Sequence, residues 1–277
     1  MARYDRIGST YASTRREDPD LRRRLHEALG PGEGVVVNVG AGTGSYEPSG
    51  RPVVAVEPSR TMLEQRSPTS APAVQATAGA VPLLDGAAEA AMAVLTIHHW
   101  DDQLAAGVAE LRRVTTGPIA VVTYDAEVSA QMWLVADYLP EAAALDRATF
   151  PPIARLVDLL AAPAASRTVS ASAVSSSAVS SSAVPAAAVS VTPLPISRHT
   201  PDWTMGSFWA HPERVLDPVA RAGTSTFSRM DPAVVDRCVE DVERDLASGA
   251  WDDRHGRLRA LDELDVGLRL VVSEPAQ

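Results

Sequence analysis

The sequence feature that most constrains the fold is a run of valines that leads directly into a glycine-rich turn. Residues 35–44 read VVVNVGAGTG, with Gly40, Gly42 and Gly44 on alternate positions. A continuous apolar run that ends in a turn is typical of a strand buried on both faces, as in a parallel sheet flanked by helices. Glycine at the end of such a strand permits a tight turn and lets a ligand approach the backbone. The segment therefore predicts a ligand-binding site at the carboxyl end of a parallel strand.

Further apolar runs alternate with helical patterns along the rest of the chain. We predict strands at residues 52–56, 91–97, 118–123, 189–192 and 266–272. Helices are predicted over residues 21–29, 61–66, 103–114, 129–145, 204–221 and 232–248. Strands that alternate with helices at this spacing predict a doubly wound α/β fold.

An acidic residue, Glu57, follows the second predicted strand. It lies seventeen positions after Gly40, and we expect both residues at the same edge of the sheet. A carboxylate in this position can accept hydrogen bonds from both hydroxyls of an adenosine ribose. Nicotinamide-dependent enzymes place an acid similarly, but their glycine pattern is G-x-G-x-x-G, whereas residues 40–44 read GAGTG. The glycine turn and the acid alone leave open which adenosine-containing cofactor binds.

Six motifs occur in a fixed order in this part of the chain. They are NVGAGTG at 38–44, VEPSRTML at 56–63, VPLLDG at 81–86, VLTIHHWD at 94–101, ELRRV at 110–114 and the predicted strand at 118–123. In this order and spacing, residues 34–125 resemble the class I S-adenosylmethionine-dependent methyltransferase superfamily, particularly its bacterial small-molecule branch. The resemblance implies one methyltransferase domain over residues 1–277. It also implies a Rossmann-like, doubly wound α/β fold whose seven-stranded sheet is mostly parallel, with an antiparallel C-terminal strand.

The resemblance implies S-adenosylmethionine as the cofactor and assigns roles by position. The glycine turn would lie beside the methionine part of the cofactor, Glu57 would bind the ribose, and Thr77 would meet the adenine edge. The N-terminal segment, residues 1–30, would cover the bound cofactor. The implied cofactor-binding residues are Tyr11, Arg16, Gly40, Ala41, Gly42, Glu57, Pro58, Met62, Thr77, Ala78 and Thr96.

Three positions depart from the usual pattern of this superfamily. Asn38 stands where an aspartate is usual, residues 77–79 read TAG where an acidic loop is usual, and residues 88–89 read AE instead of FD. An amide still forms hydrogen bonds but carries no charge. The departures leave two alternatives open, namely a cofactor-binding protein that catalyses a non-methylating cyclisation or rearrangement, and a degenerate binding protein. A nicotinamide-dependent oxidoreductase is a further alternative.

Two histidines, His98 and His99, follow the fourth predicted strand at the edge where ligands bind in such sheets. Histidine exchanges protons near neutral pH, and either ring is a candidate general base toward a hydroxyl acceptor. The alternative is that one of them only hydrogen-bonds the backbone. Tyr124 and Asp125, at the end of the fifth predicted strand, are further candidates for the same role. No group of histidines and carboxylates has the spacing of a metal site, and we predict no metal.

Aromatic residues make up only 5% of the chain, and their clusters are therefore informative. We predict that the substrate-binding residues are Trp133, Tyr138, Phe208 and Trp209, with Phe208 and Trp209 as the preferred pocket wall. The alternative for each is ordinary packing of a helix on the sheet. Residues 199–250, which contain the second pair, are predicted to be a helical insertion that forms part of the substrate pocket.

Charge and composition limit the partners. The net charge is −10 and all 25 basic residues are arginine, which disfavours nucleic acid because its phosphates need clustered cations. No apolar run approaches the roughly 20 residues that span a bilayer, and we expect no membrane partner. Cys238 is the only cysteine, which excludes an internal disulfide and favours the cytoplasm.

Residues 163–188 repeat Ala-Val between serine triplets, a composition that predicts a flexible surface insertion.

These observations predict an enzyme that transfers a methyl group from S-adenosylmethionine to a small molecule, with secondary metabolism as the expected context.

Overall fold

Seven of the nine strands in the described residues form one main sheet. A computed structural model describes residues 16–162 and 187–275. The strands in chain order are β1 (Val36–Val39), β2 (Val53–Val56), β3 (Ala73–Val74), β4 (Ala90–Val94), β5 (Ile119–Tyr124), β6 (Val189–Pro193), β7 (Ile196–Ser197), β8 (Glu263–Leu264) and β9 (Leu268–Ser273). Strands β7 and β8 form a separate two-stranded ribbon, and the other seven form the main sheet.

The main sheet has the order β3-β2-β1-β4-β5-β9-β6. Strands β1 to β5 are parallel to one another, and β9 runs antiparallel to both β5 and β6. This confirms the predicted sheet of mostly parallel strands with an antiparallel C-terminal strand. Chain order reverses at β1 and β4, so the carboxyl ends of these two strands form the crevice where ligands bind in open α/β sheets.

Helices cover both faces of the main sheet. They are α1 (Pro19–Ala28), α2 (Arg60–Glu64), α3 (Leu104–Val114), α4 (Ala126–Ser129), α5 (Pro140–Thr149), α6 (Ile153–Ala161), α7 (Pro218–Ala222), α8 (Pro232–Ser248) and α9 (Ala250–His255). Helices α1, α5, α8 and α9 contribute to the core on one face, and α3 and α6 to the core on the other. Successive residues of β1 alternate between the two cores, which explains why its apolar run is continuous rather than alternating.

Two predicted helices differ from the structure, and prolines explain most of the difference. Residues 204–221 form two short 3₁₀ helices, Met205–Ala210 and Pro212–Val215, followed by α7. Proline lacks a backbone N–H, and it therefore starts a new helix at Pro212 and Pro218 instead of continuing the previous one. Residues 129–145 are likewise interrupted, by the π-helical turn Leu134–Tyr138 and the start of α5 at Pro140. The helix predicted over residues 232–248 is confirmed in full as α8.

Strand β4 is shorter than predicted. It ends at Val94, because Leu95 has a positive φ of 50° and the chain then enters the 3₁₀ helix Ile97–His99. This early end places the residues after β4 at the sheet edge instead of within the strand.

The described residues contain no helix long and apolar enough to cross a membrane. Residues 1–15 of the predicted covering segment, which include Tyr11, and residues 163–186 of the predicted insertion lie outside the described residues.

Candidate active site

The glycine turn after β1 is held against the tips of two neighbouring strands. Gly40 and Gly42 have positive φ angles of 74° and 52°. The Gly40 and Ala41 amides both donate to the carbonyl oxygen of Val56, at 2.8 and 3.1 Å. A Cβ atom on Gly40 would lie only 1.9 Å from Oγ1 of Thr96. Only glycine therefore fits at position 40, because both the backbone conformation and the close contact exclude a side chain.

Glu57 joins this turn to the end of β2. Its Oε2 accepts a hydrogen bond from the Gly42 amide and its Oε1 accepts one from the Ser59 amide, both at 2.8 Å. The side chain is only 4% exposed, and backbone amides stabilise its charge. A carboxylate has about four lone-pair sites, and these two amides fix its orientation at the end of β2, where it can also accept hydrogen bonds from ligand hydroxyls.

A cavity of about 500 Å³ opens beside the turn and Glu57. The volume is within the range of about 300–1,000 Å³ typical of small-molecule and cofactor sites. All of the predicted cofactor-binding residues that the structure describes line it, namely Arg16, Gly40, Ala41, Gly42, Glu57, Pro58, Met62, Thr77, Ala78 and Thr96. Glycines without side chains on one wall and a fixed carboxylate on another fit a ligand with a ribose ring and a polar tail. The residues present therefore fit S-adenosylmethionine.

A buried ion pair between Arg66 and Glu47 supports the glycine turn. Arg66 donates to both carboxylate oxygens of Glu47, at 2.9 and 2.8 Å, and to the carbonyl oxygen of Gly42 at 3.2 Å. The Arg66 and Glu47 side chains are only 6% and 8% exposed. Asn38 completes the network, because its Nδ2 donates to Oε1 of Glu47 at 3.1 Å. Sequence analysis missed the ion pair, since its two members are 19 residues apart and no local pattern connects Arg66 with the glycine turn.

Tyr46 attaches the start of the described chain to the same turn. Its amide donates to Oε1 of Glu17 at 2.7 Å, and its hydroxyl accepts from the Asp18 amide at 3.1 Å. A ring nitrogen of His26 lies 2.9 Å from the Tyr46 carbonyl oxygen. These contacts bring Arg16 to the rim of the cavity, where its cation is available to a ligand carboxylate.

The two histidines after β4 lie at different cavities. His99 lines the large cavity, whereas His98 lines a second one of about 80 Å³. The centroids of the two rings are 3.8 Å apart. Tyr124 also lines the second cavity, but Asp125 caps helix α4 by accepting from the Glu127 amide at 3.1 Å. The predicted general-base candidates therefore divide, with His98 and Tyr124 at the small cavity and His99 at the large one.

The small cavity adjoins the large one at the tip of β4. Leu95 lines both, and it is a non-glycine residue in the left-handed backbone region. Such a conformation costs free energy and is often found at functional sites. The residues that line the small cavity are Leu95, His98, Tyr124, Ser129, Met132, Asp146, Phe150, Thr204, Met205, Gly206, Gly223, Thr224, Ser225, Thr226 and Val266.

The comparison with known protein families agrees with this geometry. The family model described as "Methyltransferase domain" matches residues 29–117, which include the glycine turn, Glu57 and the strands from β1 to β4. Residues 29–117 thus form a domain of the class I S-adenosylmethionine-dependent methyltransferase type. The chain is an S-adenosylmethionine-dependent methyltransferase, and S-adenosylmethionine is its cofactor.

Solved structures extend the similarity beyond the matched segment. The methyltransferase is 26% identical to a putative methyltransferase from an antibiotic biosynthesis pathway of Anabaena variabilis, with a TM-score of 0.78 over 94% of this chain and 98% of that one. It also shares its fold with the YcgJ protein of Bacillus subtilis, at 16% identity and a TM-score of 0.51 over 93% and 98% of the two chains. None of the curated proteins compared with the chain matches it significantly.

The four aromatic residues predicted to bind substrate lie in the core of the methyltransferase. Trp133 and Tyr138 are 3% and 4% exposed, and Phe208 and Trp209 are fully buried. The indole of Trp133 donates to the Trp209 carbonyl oxygen at 3.0 Å, and the Trp209 indole donates to that of Ile196 at 2.9 Å. None of the four lines either cavity. This placement matches the alternative of ordinary packing and gives no support to their predicted contact with substrate.

Other residues reach the two cavities without having been identified from the sequence. Asp102 and Gln103 line the large cavity, and they directly follow the VLTIHHWD motif at 94–101, which is the signal that could have indicated them. Asp202, which follows residues 163–186 in the sequence, also lines the large cavity. Asp146 and Phe150 reach the small cavity from helix α5 and the residue after it. No local pattern marks these last three, since only the tertiary fold brings them to the cavities.

Proposed function

We propose that the methyltransferase transfers the methyl group to a small molecule that binds in the second cavity. The observation that carries this proposal is the position of that cavity, which adjoins the cofactor cavity at Leu95 and has His98 and Tyr124 in its wall. Its volume of about 80 Å³ suits a small acceptor or the reacting end of one. A folded protein or a nucleic-acid duplex is too large to enter such a space.

The similarity to the Anabaena protein supports the same class of acceptor. That protein is described as a putative methyltransferase from an antibiotic biosynthesis pathway, and we propose secondary metabolism as the context here too. The net charge of −10 and the absence of lysine argue against a nucleic-acid substrate. A chain with one cysteine cannot form an internal disulfide bond, so an oxidising compartment would not stabilise its fold. We propose that the enzyme acts in the cytoplasm.

The residues of the large cavity would position the cofactor. Glu57 would accept hydrogen bonds from the ribose hydroxyls, the turn from Gly40 to Gly42 would pass beside the methionine part, and Arg16 would meet its carboxylate. Pro58, Met62, Thr77 and Ala78 would surround the adenine, Thr96 would lie near the sulfonium, and Tyr11 would belong to the covering segment.

Positioning is the main task of the protein in this reaction. When bound, S-adenosylmethionine supplies the methyl group, whose bond to sulfur breaks as the acceptor atom forms its bond to the methyl carbon. The cavity walls would align the acceptor atom with the methyl carbon and exclude water. For a hydroxyl acceptor, His98 would take the proton that the oxygen loses, because its ring lies in the wall of the acceptor cavity. His99 lines the cofactor cavity and is the second candidate for this proton transfer.

Calorimetric titration of S-adenosylmethionine and S-adenosylhomocysteine tests the cofactor site. We expect micromolar binding to the wild type, and binding at least about tenfold weaker to Glu57→Ala, a loss of about 1.4 kcal/mol. Glu64→Ala is the matched control, because Glu64 lies exposed on α2 and its ion pair with Arg60 is at the surface. Equal affinities of the wild type and Glu57→Ala would refute the role of Glu57.

Release of S-adenosylhomocysteine in the presence of small acceptors then tests the reaction. The expected result is product that carries one added methyl group for each S-adenosylhomocysteine released. Cofactor binding without methyl transfer to any small acceptor, combined with methylation of a protein or nucleic acid, would overturn the proposal.

A further inference from the structure

The wall of the small cavity contains one buried acid, Asp146 on helix α5. The residue is only 7% exposed. Within residues 16–162 and 187–275, no group forms a hydrogen bond or ion pair with its carboxylate. Arg147, the next residue along the chain, pairs with Glu127 at 2.7 Å, and Arg229, whose charge acts on Asp146 without forming an ion pair with it, donates to Oγ1 of Thr149 at 2.9 Å. The carboxylate therefore lies in the cavity wall with no hydrogen bond or ion pair from the described residues.

A buried carboxylate without a partner is energetically unfavourable. Its removal from water costs several kcal/mol unless a cation or hydrogen-bond donors compensate. Burial raises the pKa of Asp146 to about 6, although the positive charge of Arg229 opposes the rise. The group is nevertheless mostly ionised at neutral pH, since its pKa lies about one unit below. A cationic ligand group would supply the missing compensation.

Aromatic rings form another part of the same wall. The ring of Phe150 lies 4.7 Å from that of His98 and 5.7 Å from that of Tyr124, measured between centroids. Met132, Met205 and Val266 add apolar surface. Aromatic faces attract cations, and apolar side chains accommodate a hydrocarbon body. The cavity thus combines one negative charge with aromatic and apolar surface.

We infer that Asp146 binds a protonated amino group of the acceptor, which makes the substrate a small amine with an apolar body. The inference rests on the proposed function, in which the small cavity holds the acceptor. Asp146 is a binding residue in this scheme. The nitrogen that it holds is protonated and has no lone pair, so a different atom of the acceptor, or that nitrogen after it loses its proton, receives the methyl group.

Paired amines and alcohols of equal shape provide the test. n-Butylamine and phenethylamine are titrated against 1-butanol and 2-phenylethanol, using enzyme loaded with S-adenosylhomocysteine at about pH 7.5. For the wild type we expect each amine to bind at least about tenfold more tightly than its alcohol. In Asp146→Asn, which keeps the shape but removes the charge, this preference should fall to about twofold or less. Asp158→Asn, an exposed acid on the adjacent helix α6, should retain it.

Equal binding of amine and alcohol to the wild type would overturn the inference, and so would an undiminished preference for the amine in Asp146→Asn. A third contrary result is no binding of either amine up to about 10 mM, the weak limit expected for ligands of this size. S-adenosylhomocysteine affinity is measured on every variant. A failure of the wild type to bind S-adenosylhomocysteine contradicts the proposed cofactor site, and the amine titration of the unloaded protein still decides the role of Asp146. Thermal unfolding of each variant confirms that the substituted proteins are folded.

Discussion

The buried acid in the small cavity should reduce the stability of the protein, and this is measurable. The pKa of Asp146 rises from 3.8 to about 6 because burial disfavours its charged form. Each pKa unit corresponds to about 1.4 kcal/mol, so the shift of about two units amounts to up to about 3 kcal/mol. Asp146→Asn removes the ionisation and keeps the shape, and it should therefore stabilise the folded protein at neutral pH.

The sign of the effect depends on pH. Below about pH 3 the carboxyl group is protonated in both the folded and the unfolded protein, and its ionisation does not affect stability. Between about pH 4 and pH 6 the folded protein binds more protons than the unfolded chain, and stability falls as the pH rises. Above about pH 6 the ionised Asp146 carboxylate lowers the free energy of unfolding by its full amount. The advantage of Asp146→Asn should therefore be small at about pH 4 and reach its full value above about pH 7.

Urea unfolding followed by tryptophan fluorescence measures this difference. The buried indoles of Trp133 and Trp251 report loss of the core, and the midpoint multiplied by the slope gives the free energy of unfolding. Asp158→Asn serves as the control, because that acid is exposed and its neutralisation should leave stability unchanged at both pH values. An Asp146→Asn variant that is no more stable than the wild type at about pH 7.5, or is equally stabilised at about pH 4, would refute the argument.

Three further outcomes follow from the geometry. Gly40→Ala should lower the free energy of unfolding by about 2 kcal/mol or more in a urea titration, because the new Cβ would lie 1.9 Å from Oγ1 of Thr96 and the φ of residue 40 is 74°. Gly50→Ala is the control: that position has open space around it, and the substitution should lower the free energy of unfolding by less than about 1 kcal/mol. Arg66→Met should destabilise the protein by about 3–5 kcal/mol in the same titration, because it leaves the partner carboxylate buried without its cation; an unchanged midpoint would contradict this. Burial raises the pKa of Cys238 to about 12, and we expect a thiol reagent to label it in urea but not in the native protein, as counted by mass spectrometry.

The sequence best predicts those structural features that are determined by residues close together along the chain. The strand that leads into Gly40, the acid at Glu57 and helix α8 all follow from local rules, namely buried apolar runs, glycine conformation and helix periodicity. Those rules place the cofactor cavity, because the parallel strands of a sheet end at a common edge. The single helix predicted over residues 204–221 is wrong, because Pro212 and Pro218 each start a new helix within that range.

The acceptor cavity depends on residues that are distant in sequence, and local rules cannot find it. Asp146 comes from helix α5, His98 from the 3₁₀ helix after β4 and Thr226 from the part of the chain that follows residues 163–186. Phe208 and Trp209 were attractive as pocket residues because aromatic residues are rare in this chain, but rarity predicts burial as well as binding. The indole N–H groups of Trp133 and Trp209 donate to backbone carbonyls, which satisfies these two polar groups inside the core.

Asn38 shows how a departure from a family pattern can be compensated elsewhere in the structure. An aspartate at this position would place a second carboxylate about 3 Å from Oε1 of Glu47, where the Asn38 amide now donates a hydrogen bond at 3.1 Å. Two buried carboxylates at that distance repel each other, and one would have to bind a proton. Glu47 already supplies the negative charge beside the glycine turn, and Arg66 neutralises it while it binds the Gly42 carbonyl oxygen. The amide at position 38 is therefore the residue that this network requires, and its lack of charge is no sign of a degenerate site.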